Sequence, residues 1–136
     1  MRFFTISSLA AFIYPKAVFR IKTKEKILCL TFDDGPDPDS TPRLLEILGK
    51  HDIKAVFFCD GRSAEFYPGL IDLIKGKGHV IGNHGYNHLN GWGTSIADYC
   101  RDVSLASGFT SASLFRPPYG LLRPNQYRRL KDSYKI

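Results

Sequence analysis

Three short polar clusters stand out in this chain, and their residue types are those of hydrolytic metal chemistry: Asp33-Asp34-Gly35-Pro36, the pair His84 and His88, and Arg116-Pro117-Pro118-Tyr119-Gly120. Imidazoles four residues apart face the same way if they share a helical turn. Two imidazoles and one carboxylate are a common ligand set for a catalytic divalent cation that keeps one position open. Each cluster also has a plainer explanation. Asp-Asp-Gly-Pro is a good strand-ending turn, two histidines can be structural or surface residues, and the Arg116 segment can be a rigid surface turn. Found together, they favour a metal site. The adjacent aspartates can then divide the work: Asp34 ligates, and Asp33 takes a proton from water acidified by the cation. Arg116 can pair with Asp33 and orient it. Pro117-Pro118 would stiffen the loop so that the Tyr119 backbone N–H is aimed at a developing oxyanion.

The elements that must position these groups alternate. Ile27 to Phe32 reads as a buried strand stopped by Asp33-Asp34-Gly35-Pro36, and Ala55 to Cys59, His79 to Gly82 and Leu114-Phe115 read as further strands. Between them, Ser40 or Thr41 can cap a helix with Pro42 at its first position and Leu44, Leu45 and Leu48 on its apolar face. Tyr67 to Lys77, Thr94 to about Ala106, and Pro124 to Leu130 read as helices, and Tyr134-Lys135-Ile136 as a strand just beginning. Strand–helix repeats of this spacing imply a parallel sheet, whose functional groups gather at the carboxyl ends of its strands. All three clusters fall there. Four strands and a stub neither close a barrel nor cover both sheet faces, so the reading is an α/β domain lacking its last strands.

Composition sets the outer bounds. With 43% hydrophobic and 24% charged residues the chain is apolar enough to bury a core. The net charge of +6 is spread without a block of like charges; the nearest to one is Arg20 to Lys26. That makes a solvated basic face, or a surface suited to an anionic polymer. No recognised nucleic-acid module is present, so no nucleic-acid partner is expected. Cys29, Cys59 and Cys100 are odd in number and far apart, which argues against a disulfide framework and a cysteine zinc site; Cys29 and Cys59 are expected as small buried hydrophobes. Phe3 to Tyr14 is fairly apolar but too short to span a bilayer and lacks a clear cleavage site, so it reads as an amphipathic lead-in, with export left open.

Thr31-Phe32-Asp33-Asp34-Gly35-Pro36, His84-Gly85-Tyr86-Asn87-His88 and Arg116-Pro117-Pro118-Tyr119-Gly120 resemble, in order and spacing, the first three motifs of the polysaccharide deacetylase family. That family carries the NodB homology domain and is classed as carbohydrate esterase family 4. The resemblance spans about Lys26 to Ile136, with residues 1–25 as an N-terminal lead-in. It implies a partial distorted (β/α) barrel of the polysaccharide deacetylase type, missing its last strands. The implied activity is metal-dependent hydrolysis of acetyl groups on a polysaccharide: N-acetylglucosamine polymers such as peptidoglycan or chitin oligomers, or O-acetyl groups on xylan. By the same resemblance Asp33 is the base, Asp34, His84 and His88 hold Zn2+ or another divalent ion such as Co2+, Arg116 steadies Asp33, and Tyr119 supplies the oxyanion contact. It also implies an acetylated polysaccharide as partner and a cell-envelope or exported setting.

Two departures qualify that expectation. The residue after the first metal histidine is usually Ser or Thr, whose hydroxyl braces the loop; here it is Gly85, and a looser loop is expected. The family's fourth motif, an Asp and Trp region, and its fifth, a Leu-x-His with the general acid, find no match before Ile136. His51 and His79 lie too early to replace that acid, and His79 is expected as a structural residue at a strand start. Trp92 either lines a substrate groove or packs. Two other readings remain: a metal- or sugar-binding module without turnover, and a metallo-phosphoesterase, which lacks the further carboxylates and histidines of a two-metal site.

Overall fold

The computed structural model describes residues 8–19, 23–110 and 113–136. The front of the Phe3–Tyr14 segment and the start of the Arg20–Lys26 stretch lie outside the described residues. In chain order the elements are α1 (Ser8–Ile13), β1 (Leu30–Asp33), α2 (Ser40–Lys50), β2 (Ala55–Cys59), α3 (Gly61–Phe66), α4 (Pro68–Gly76), β3 (Val80–Asn83), α5 (Ile96–Thr110), a 3-10 turn (Pro118–Gly120) and α6 (Pro124–Leu130). The strands pair in parallel in the order β1-β2-β3, with Phe32 opposite Phe57 and Phe57 opposite Ile81. Two parallel bridges extend the sheet in the same sense, Asn83 to Phe115 and Leu114 to Lys135. The fourth strand and the stub at Lys135 are therefore in place as bridges. Strand order follows chain order throughout, so every crossover runs the same way around. This is the winding of a barrel segment, without the reversal of an open doubly wound sheet.

The helices cover one side of this arc. Leu45, Leu48, Ala55, Phe57, Cys59, Ala64, Ile71, Ile74 and Ile81 form one core cluster, against which Leu30 and Phe32 pack. Tyr99, Val103, Phe115, Leu122, Tyr127 and Leu130 form a second, joined by Tyr14 and Ala17 of the lead-in. Tyr14 Oη donates to the Leu122 carbonyl at 2.6 Å, and Tyr127 Oη accepts from Lys16 N at 2.6 Å.

Several local expectations are corrected. β1 begins at Leu30, later than Ile27, and Cys29 is exposed along with Leu28. Alternate residues of a strand face opposite ways. Leu30 and Phe32 take the helix-covered side, while Cys29 and Thr31 line a groove of about 520 Å³ on the other, with Val56, Phe58, Phe115 and Arg116. Cys59 is buried as expected, and burial pushes its thiol up to about 12. At the start of α2 neither Ser40 nor Thr41 is the cap: Asp37 Oδ1 accepts from Asp39 N, Ser40 N and Ser40 Oγ. The helix expected over Tyr67–Lys77 is α4, and it is preceded by α3. Pro68 disfavours helical backbone in the residue before it, so Tyr67 breaks the two apart at φ −126°, ψ 58°.

Candidate functional site

β1 delivers its aspartates past the end of the sheet, where a tight turn begins. Asp34 has φ 68° and Gly35 φ 73°, so the chain reverses within two residues. The carboxylates of Asp33 and Asp34 thereby leave in different directions. Asp34 Oδ1 lies 3.7 Å from His84 Nε2 and 3.3 Å from His88 Nε2. All three candidate ligand atoms are within 4.8 Å of one another. Asp33 Oδ1 instead meets Arg116 Nη1 at 2.6 Å. The structure thus brings five of the six residues singled out from the sequence into two adjoining sets, and Tyr119 lies against His88.

His84 is almost fully buried just after β3, and its ring is fixed from both sides. Its Nδ1–H donates to the Arg116 carbonyl at 2.8 Å, which leaves Nε2 as the unprotonated nitrogen facing Asp34. Burial lowers the pKa of this imidazole, with the Arg116 carbonyl opposing, so the neutral ligating form is favoured. His88 reaches the same point differently from the expected helical turn. Residues 84–88 form a loop in which Gly85 has φ 81° and His88 φ 53°, and it is these left-handed steps that turn the two rings together, centroids 5.0 Å apart.

The looseness expected from Gly85 is not found. Asp102, buried on α5, braces the loop from below: its Oδ2 accepts from Tyr86 N at 2.8 Å, and its Oδ1 from Asn87 N at 3.0 Å and Asn87 Nδ2 at 2.8 Å. Asn83 Oδ1 accepts from Gly85 N at 2.8 Å. A Cβ on Gly85 would come within 2.9 Å of Asp102 Oδ2, so glycine makes room for the carboxylate that does the bracing. Asp102 and Asn83 were not foreseen. The sequence signal for Asp102 was an acidic residue on the inward face of α5, between Tyr99, Val103 and Ala106.

Arg116 serves the site with its backbone and its side chain at once. While the carbonyl holds His84, Nη1 donates to Asp33 Oδ1 and to Thr31 Oγ1 at 2.9 Å, and the guanidinium lies 4.1 Å from the Phe58 ring centroid. The planar group is held by stacking and hydrogen bonds together. Beyond it, Tyr119 sits in the 3-10 turn at φ 59°, its ring edge-on to His88 at 4.6 Å, and its N–H has no acceptor among the described residues. Trp92 is exposed, so it does not pack; its carbonyl accepts from Arg123, which ties the 90–93 loop to the segment following Tyr119. His79 is structural: its Nδ1 accepts from Ala55 N at 3.2 Å at the strand starts, away from the site. His51 follows α2 and is exposed.

The donor set fits a divalent cation. One carboxylate and two imidazoles converge, one ring has its tautomer set by a backbone acceptor, and the Asp34 side chain stays exposed. Among the described residues no second cluster of this kind occurs. No helix of the described residues is long and apolar enough to cross a membrane.

Known proteins resemble this chain in sequence and fold. The family model described as polysaccharide deacetylase matches residues 20–133. The chain is 38% identical over 108 residues to a peptidoglycan-N-acetylglucosamine deacetylase of Bacillus cereus, a match covering 74% of this chain and 39% of that protein. It is 37% identical over 110 residues to a chitooligosaccharide deacetylase of Azorhizobium caulinodans, covering 74% of this chain and 51% of that one. A crystal structure of a peptidoglycan N-acetylglucosamine deacetylase superposes with a TM-score of 0.71 at 35% identity, over 79% of this chain and 54% of the other. The chain thus spans about half, or less, of the length of these relatives. Matched over most of its length by both sequence and fold, the chain belongs to the polysaccharide deacetylase family.

Proposed function

We propose that this chain carries the cation-binding half of a hydrolase that removes acetyl groups from an N-acetylglucosamine polymer of the cell envelope, with peptidoglycan or chitin oligomers as the substrate class. One observation carries the reading. Asp34, His84 and His88 converge to within 4.8 Å while the neighbouring Asp33 is kept out of the cluster by Arg116. Held by the first three, a divalent cation such as zinc or cobalt supplies Lewis acidity that acidifies water and polarises an acetyl carbonyl. Asp33 accepts the proton of the attacking water. Arg116 fixes the Asp33 carboxylate so that it cannot swing to join the ligands. The Tyr119 N–H receives the negative charge that develops on the acetyl oxygen. When the carbon–nitrogen bond breaks, a proton must reach the departing amine, and the proton that Asp33 took from the water is available for it. Acetate release from N-acetylglucosamine oligomers and peptidoglycan, with zinc or cobalt added, tests the reading. The wild type should release acetate and Asp33→Asn should not; no acetate from the wild type on chitin oligomers, peptidoglycan or xylan would reject it.

A second reading rests on the same histidines. His51 and His79 stand apart from the cluster, so among the described residues no third imidazole is at hand to protonate the amine. Loss of such a group typically costs about 10²–10⁴ in rate. Binding of cation and polymer without turnover is the corresponding function, and zinc and chitin-oligomer binding without acetate release would select it.

A further inference from the structure

Beyond His88 the histidine loop runs into a second, tightly held turn. Leu89 packs against the second core cluster. Asn90 then closes the turn from within: its Oδ1 accepts from Trp92 N at 2.9 Å and from Gly93 N at 3.3 Å, and its carbonyl accepts from Thr94 Oγ1 at 2.7 Å. Gln126, fully buried in the first turn of α6, holds it from below. Gln126 Nε2 donates to Gly91 O at 2.8 Å and to Thr94 O at 3.3 Å, while its Oε1 accepts from Arg123 N at 2.9 Å. Gly91 is pressed so closely onto the segment after Tyr119 that a Cβ there would lie 2.2 Å from the Leu121 carbonyl oxygen. The backbone is clamped on every side, yet the largest side chain of the turn is left to solvent: Trp92 is 63% exposed.

A single exposed apolar side chain needs no explanation. Trp92 differs in where it stands and what stands with it. It follows His88 by four residues, so their Cα atoms are at most about 14 Å apart. The segment it is clamped to begins at Tyr119, whose own ring is 65% exposed and lies edge-on to His88. Two exposed aromatic rings are thus carried on two stitched loops beside the candidate ligands. A β-linked N-acetylglucosamine unit holds its substituents equatorial, so each face of its ring presents axial C–H groups. Such a face is apolar, and its C–H edges suit the electron-rich face of an indole. A platform already fixed by its backbone loses little freedom when a ligand covers it. Resting on the polymer substrate proposed above, we propose that Trp92 forms a sugar-binding subsite, stacking on a pyranose ring further along the chain from the one whose acetyl group meets the cation.

Trp92 is the only tryptophan of the chain, so its fluorescence reports on this position alone. The test is a titration of the whole chain with N-acetylglucosamine oligomers, following emission in the wild type and affinity by calorimetry in wild type, Trp92→Phe and Trp92→Ala. Emission should move to shorter wavelength and saturate as the indole is covered. Affinity should fall by about 10-fold in Trp92→Ala and by less in Trp92→Phe, which keeps an aromatic face. The unfolding midpoint of Trp92→Ala should stay at the wild-type value, since the ring does not pack. Oligomer binding with unmoved emission would overturn the proposal, as would wild-type affinity in Trp92→Ala, or a wild type that binds no oligomer. A wild type that binds with shifted emission but releases no acetate would reject the deacetylation and keep the subsite, a different failure.

Discussion

Replacing Asp102 by alanine tests whether the histidine loop is braced from α5. The carboxylate is 6% exposed and accepts three hydrogen bonds, two of them from main-chain amides of the loop. Hydrogen bonds to a charged group contribute about 1.5–3 kcal/mol each. The bond to the Asn87 side chain is only part-buried and counts for less, and alanine also removes the cost of burying the carboxylate. The net expectation is a loss of roughly 2–4 kcal/mol, or roughly 10 °C in Tm for a chain of this size. Since the left-handed backbone of Gly85 and His88 is what brings the two rings together, zinc affinity should fall with the loop by about 10-fold or more. Asp102→Asn, keeping one acceptor, should fall between. Urea unfolding of the metal-free protein gives the stability, and chelator competition gives the affinity. A change below about 0.5 kcal/mol, the size of an ordinary surface substitution, with unchanged zinc binding would refute the bracing.

Four further outcomes follow from the same geometry. His88→Ala should abolish tight metal binding while Asp33→Asn leaves it largely intact; equal loss by metal analysis would undo the division of roles between the carboxylates. Arg116→Lys should keep zinc, because the backbone carbonyl at 116 survives, yet lose about 10- to 100-fold in acetate release as the planar fork on Asp33 and Thr31 goes, the scale of a misplaced catalytic group. Gly85→Ala should cost about 1–3 kcal/mol in unfolding experiments, from a left-handed backbone and a Cβ 2.9 Å from the bracing carboxylate. For pH, burial and the nearby Lys54 and Lys77 lower the His79 pKa. The unfolded chain therefore binds the extra proton first, and stability is lost as pH falls through about 6.5 towards the folded value. Any stability advantage of wild type over His79→Gln should shrink across that window.

Much of the site was legible because its chemistry is written in short runs at strand ends. A parallel strand is an apolar run that stops abruptly, and whatever polar residues follow it are carried to the same rim. Asp33-Asp34, His84 and Arg116 are such residues, and the strands behind them lie where the apolar runs placed them. What stayed hidden depended on contacts between segments distant in the chain. Asp102 lies on a helix whose pattern marks a buried face but not what that face meets. Asp60 looks like an ordinary helix cap, yet its side chain bonds none of the first-turn amides, two of which donate to another loop. The turn of residues 84–88 was misjudged because spacing by four is shared by a helix and by a loop with left-handed steps. Cys29 was expected inside because an apolar run does not reveal which of its two faces is covered.

Arg116 joins the two parts of the site through separate parts of one residue: the main chain holds His84, and the side chain holds Asp33. Cation retention and water activation are therefore open to independent mutation. A single codon change at this position could silence the chemistry while the protein went on holding its ion and its fold. On the proposed roles, a form that binds the polymer without cutting it lies one substitution away, with no redesign of the metal cradle required.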